Sequence, residues 1–146
     1  MSAIREPRRP TGYTVSLDPT GLERITFTET ACFLAGTRTS TERGEIAVEE
    51  LRIGDLVRTM SGALRPLKWV GQRAYSARFA GNSPDLLPIR FKARSLDENV
   101  PARDLLVSPK HAMFLDGVLI PAEHLVNGAT IVQEAPGEDI HYFHLE

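Results

Sequence analysis

The chain has 146 residues, enough for one domain of usual size, and its 42% apolar and 25% charged residues are ordinary for a globular protein. Seventeen Lys and Arg against nineteen Asp and Glu leave a net charge of −2, so no basic face calls for nucleic acid and no acidic tail is evident. One cysteine, Cys32, excludes an internal disulfide and a thiolate metal cluster, and ten prolines with eleven glycines argue against a helical bundle.

Residues 1–24 carry Pro7, Pro10, Gly12, Pro19 and Gly21 and read as a loose leader, with one short strand at Tyr13–Leu17. Met1–Pro10 has charge but no apolar segment behind it, so it is not a signal peptide. The longest apolar runs are far below the roughly 20 residues that span a bilayer. No membrane partner is expected, and the compartment is left open between the cytoplasm and export within a longer protein. From Ile25 the texture turns β-prone. Ile25–Thr28 alternates, Cys32–Ala35 is a short apolar run closed by Gly36, and Thr37–Thr41 suits a pleated edge. A turn at Glu42–Glu45 leads to a strand at Ile46–Val48, then one helical turn ending at Gly54.

Strands are expected at Asp55–Met60, Pro66–Gly71, Leu87–Phe91 and Leu105–Ser108. Met113–Leu115 and Val118–Ile120 flank Asp116-Gly117, the strongest hairpin signal in the chain. A helical turn at Pro121–Val126 precedes two last strands, Thr130–Gln133 and Ile140–Leu145. Residues 76–104 are the least regular stretch and read as a long loop crossed by one strand. About ten short strands and no sustained 3.6-residue period define an all-β class with one or two helical turns. No P-loop, GxGxxG or HExxH occurs, and the four histidines lack metal-ligand spacing, so no metal and no cofactor are expected.

Two segments stand out together: Ala31-Cys32-Phe33-Leu34-Ala35-Gly36-Thr37, and Leu106-Val107-Ser108-Pro109-Lys110-His111. With GEIAVEELRIGDLVRT at 44–59, Trp69-Val70-Gly71, Pro101–His111 and Tyr142-Phe143-His144, the chain resembles the Hint module shared by Hedgehog autoprocessing domains and inteins, in its bacterial branch. The resemblance covers about residues 31–146, leaving 1–30 as a flanking leader, and implies the compact all-β Hint fold, with a last strand expected beyond Glu146.

The resemblance implies that Cys32 attacks the carbonyl of Ala31, converting the Ala31–Cys32 amide to a thioester by an N-to-S acyl shift. The chemistry explains the residue types. An amide is resonance-stabilised and its nitrogen leaves poorly. A thiolate supplies the nucleophile, a histidine the proton for the departing nitrogen, and a donor must meet the developing oxyanion. By resemblance His111 is the proton donor, and Ser108 or a nearby backbone N–H polarises the Ala31 carbonyl. His144 and Asp104 are secondary candidates: His144 as the inward member of the His141/His144 pair on the last strand, and Asp104 either as an orienter of His111 or as the partner of a surface salt bridge.

The chain's own N-terminal segment would be the substrate, and water, a thiol or another nucleophile the acceptor. Gly71 stands near the place where sterol-transferring relatives carry an acid, so a sterol acceptor is not expected. No C-terminal Asn closes the chain, so complete splicing is not expected. Two other classes stay open: a catalytically silent β-rich interaction module, since a lone cysteine in a β domain is as a rule a small buried hydrophobe, and a cysteine hydrolase acting on other chains. Trp69 is expected in the core, and Glu49-Glu50 on a solvated face.

Overall fold

Short apolar runs punctuated by Gly and Pro become short strands, and the computed structural model describes them over residues 14–17, 23–26 and 31–146. The chain divides into two units, Met1–Thr30 and Ala31–Glu146. In the first unit β1 (Thr14–Leu17) pairs antiparallel with β2 (Glu23–Thr26). The leader's prolines and glycines, Tyr13, and the Phe27–Thr28 end of the expected second strand lie outside the described residues.

The second unit is all-β. Two sheets hold most of its strands. One is four-stranded, in the order β5 (Gly44–Ala47), β4 (Arg38–Thr41), β6 (Leu56–Arg58), β7 (Leu64–Pro66). The other is six-stranded, in the order β13 (Ile131–Gln133), β9 (Ile89–Phe91), β10 (Leu105–Val107), β3 (Phe33–Leu34), β14 (Ile140–Leu145), β8 (Val70–Tyr75). A separate hairpin joins β11 (Ala112–Leu115) to β12 (Val118–Pro121). Asp116 and Gly117 between them both take positive φ, 47° and 83°, as a tight primed hairpin turn requires. Single 3-10 turns cover Val48–Glu50 and Ala122–Leu125.

Two expectations need correcting. The stretch 76–104 is not wholly loop: α1 (Ala77–Ala80) opens it, buries Ala80, and takes the Asp139 carboxylate on the Ala77 N–H at 2.9 Å. The run expected as one strand at Pro66–Gly71 is split, with β7 ending at Pro66 and β8 starting at Val70 and continuing to Tyr75. A proline has no N–H for a ladder, so Pro66 closes one strand rather than sitting inside it.

The six-stranded sheet is covered by apolar residues on both faces. Ile89, Phe91, Val107, Ala122 and Ile131 form one buried cluster; Val48, Leu51, Leu67 and Phe143 form another, which joins the two sheets; Cys32, Ala80, Ile140 and Tyr142 form a third. Burial of each large member contributes roughly 1.5–3 kcal/mol. In β14, Phe143 turns to one cluster while Ile140 and Tyr142 turn to another, as the two-residue period of a strand dictates. His144 shares the face of Ile140 and Tyr142, and His141 is exposed.

Candidate active site

The two-residue strand β3 follows directly on the Ala31–Cys32 amide and lies between β10 and β14. Val107 pairs with Phe33, and Phe143 pairs with Phe33 on the other side. One step further along this antiparallel register, Cys32 has Ser108 on one flank and His144 on the other. His144 in turn pairs with Gly71 of β8. The register therefore lines up Ser108, Cys32, His144 and Gly71 in one row across four strands. Cross-strand neighbours in such a row share a face of the sheet.

Both ends of the Ala31–Cys32 amide are held by side chains. His144 Nδ1 lies 2.5 Å from the Ala31 carbonyl oxygen. The Cys32 N–H donates to Ser108 Oγ at 3.1 Å, and the Ser108 N–H returns a bond to the Cys32 carbonyl at 2.9 Å. Ser108 is buried between Val107 and Pro109, so its hydroxyl cannot turn to solvent. The expected contact of Ser108 with the Ala31 carbonyl is not the one observed. Its hydroxyl meets the nitrogen, and His144 takes the oxygen. The reason is register: Ser108 is opposite Cys32, and on the opposite flank β14 delivers an imidazole long enough to reach back one residue.

His111 sits in the turn after β10, its N–H bonded to the Ser108 carbonyl at 3.0 Å. Its Nδ1 approaches the Cys32 carbonyl oxygen at 3.3 Å, and its ring meets Phe33 edge-on at 4.7 Å. Burial pushes its pKa below the ordinary 6.5, the bond to the Cys32 carbonyl opposes that shift, and the nearby His144 adds to it. His111 is thus a neutral imidazole near pH 7. Cys32 itself is 6% exposed, packed with Ala80, Ile140 and Tyr142.

Asp104 makes no bond to His111. It accepts from Arg90 Nη1 at 2.9 Å and from the Ala93 N–H at 2.9 Å, and these bonds, the backbone one first, lower its pKa. Arg90 also bridges to Glu134, just past β13, so this is a half-buried ion-pair network across the β13, β9 and β10 edge. Trp69 is 39% exposed rather than a core residue, with its ring over Gly71 and against His144. Glu49 accepts the Gly36 N–H at 2.8 Å, tying down the turn after β3. Glu146 is not among the sequence candidates, yet its Oε1 lies 3.1 Å from His144 Nε2. The signal was present: residues 144 and 146 are two apart in an extended chain and so share a face. Among the described residues no group of three or more His, Cys, Asp or Glu could hold a metal ion.

The arrangement has chemical content. A hydrogen-bond donor faces the amide oxygen, a hydroxyl faces the amide nitrogen, and a neutral imidazole borders the next carbonyl.

The sequence of residues 31–146 matches the family described as the Hint domain, and the chain belongs to that family. The structure is similar to a crystal structure of the gp41-1 intein, with a TM-score of 0.56 at 10% identity, covering 81% of this chain and 89% of that one. At that identity the likeness shows the intein fold. Comparison with curated proteins returns no match.

Proposed function

We propose that the Ala31–Glu146 unit is a self-processing domain that cleaves its own chain at the Ala31–Cys32 bond. The observation that carries this reading is the clamp on that single amide, oxygen held by His144 and nitrogen by Ser108.

The step runs as follows. The Cys32 thiol gives its proton to neutral His111, and Sγ attacks the Ala31 carbonyl carbon. The π pair moves to the oxygen, where the His144 Nδ1–H stabilises it. Collapse breaks the C–N bond. The nitrogen takes the proton back from His111, with the Ser108 hydroxyl, already 3.1 Å away, as its immediate neighbour. The product is a thioester on Cys32 with a free Cys32 α-amine. Water or a small thiol then attacks the thioester carbonyl, releasing residues 1–31 as an acid or a new thioester and regenerating the thiol. A histidine that first accepts and then returns a proton works best when neutral at rest, which matches its burial.

Incubation of the purified chain with dithiothreitol or hydroxylamine tests the proposal. Mass spectrometry should show a fragment beginning at Cys32, and Cys32→Ala should yield none. An intact wild-type chain after days in strong thiol overturns it. A second reading, a silent β-rich module, draws on the burial of Cys32 in the apolar cluster with Ala80 and Tyr142; it is the outcome if no fragment appears.

A further inference from the structure

The row Ser108–Cys32–His144–Gly71 ends on a residue with no side chain, and its neighbour fills the gap. A Cβ built on Gly71 would lie 2.0 Å from Trp69 Cη2 and 2.5 Å from Cζ3. The far edge of the indole therefore occupies the space that a side chain at Gly71 would fill. From there it meets the His144 ring, with centroids 5.5 Å apart and planes 59° apart. The segment is pinned from below, because the Lys68 and Trp69 N–H groups both donate to the Glu146 carbonyl and the Glu146 N–H returns a bond to Trp69. The same backbone pairing brings the Glu146 carboxylate to His144 Nε2 at 3.1 Å.

His144 consequently faces an acceptor at each nitrogen: the Ala31 carbonyl at Nδ1 and the Glu146 carboxylate at Nε2. A carboxylate and a carbonyl accept only, so the two contacts fix which edge of the ring each nitrogen presents. Among the described residues, the ionisable groups that bear on the ring are Glu146 at 3.1 Å and His111, neutral by burial, from the turn after β10. Ala31, Gly71 and Trp69 bring no charge.

We propose that Glu146 and the Trp69 indole, seated on Gly71, are positioning residues for His144. The carboxylate anchors the ring through Nε2, and the indole walls it against water and rotation, so that Nδ1 stays on the Ala31 carbonyl oxygen. Gly71 is glycine because any side chain there evicts the indole. This inference rests on the self-cleavage reading for its consequence, but not for its geometry, and the experiment separates the two.

The ring nitrogens of His144 are followed by 15N NMR near pH 7 in the Cys32→Ala protein, where the bond stays intact. The two signals should report one fixed ring, hydrogen-bonded at both nitrogens. Adding Glu146→Ala should shift both signals, and Glu146→Asp should restore part of the original pattern. In the Cys32 protein, Glu146→Ala should slow thiol-induced cleavage about tenfold, the worth of one charge-assisted hydrogen bond, with partial recovery in Glu146→Asp. Gly71→Ala should slow cleavage as well, and Trp69→Ala in the Gly71→Ala background should refold the strand without restoring the rate. Should Gly71→Ala fail to fold, Trp69→Phe, which keeps the backbone and shrinks the wall, replaces it and should slow cleavage more mildly. Ring signals and cleavage rates indifferent to Glu146→Ala and to the Trp69 and Gly71 variants, in a wild type that does cleave, overturn the positioning role alone. Ring signals that respond as described in a wild type that never cleaves support the positioning role and overturn the self-cleavage reading.

Discussion

Replacing His144 by Ala removes the donor from the oxygen that gains charge during the acyl shift. The Nδ1–O separation is 2.5 Å. The oxygen at that distance gains about half a charge between amide and oxyanion, so the bond strengthens as the step proceeds. The differential stabilisation expected is about 3 kcal/mol, from the roughly 2.7–4 kcal/mol lost when a single oxyanion donor is removed from a hydrolase. His144→Ala should therefore slow thiol-induced cleavage roughly 100- to 200-fold. Fragment appearance is followed by intact-mass spectrometry at fixed dithiothreitol. Urea unfolding alongside should show a loss of only about 1–2 kcal/mol, since one hydrogen bond is removed. A folded His144→Ala protein that cleaves within threefold of the wild type refutes the assignment of the oxyanion site to His144.

Other outcomes are equally specific. Because burial holds His111 below 6.5, the acid limb of cleavage due to this residue should lie below pH 6.5, with a plateau above it. The same shift governs stability. Between the folded-state value and 6.5 the unfolded chain binds the extra proton and the folded one does not, so stability should fall as pH drops through that window and be fully present above it; urea midpoints at pH 7.5 and 5.5 should show this, and His111→Asn should flatten it. Phe91, wholly buried between the neighbours of β9, should cost about 3–5 kcal/mol in urea unfolding when replaced by Ala. Asp104→Ala should leave the cleavage rate unchanged, because its carboxylate serves Arg90 and the Ala93 N–H and does not reach His111; a tenfold loss of rate with the fold intact contradicts that placement.

Much of the fold is legible in the chain because its signals are local. Asp116-Gly117 needs no tertiary contact to favour a tight turn, and the alternation in Ile140–Leu145 assigns His144 to one face and His141 to the other before any partner strand is known. The helical turn at Ala77–Ala80 is not legible: four residues of Ala, Arg and Phe carry no period, and the turn is held by Asp139, sixty-two positions away. Trp69 misleads for a related reason. A large apolar ring is expected inside, but the absence of a side chain at Gly71 offers it a seat at the sheet surface instead.

By itself the sequence determined the all-β class, the hairpin, the cysteine at the head of a strand and the histidines available to it. These depend on residue type and on spacing along the chain. Only the tertiary structure decided which atom of the Ala31–Cys32 amide each side chain meets: Ser108 on the nitrogen, His144 on the oxygen, Glu146 behind His144. The physical reason is strand register. Ser108 and His144 lie 76 and 112 positions from Cys32, and a shift of one residue in either pairing would turn the side chain to the other face of the sheet.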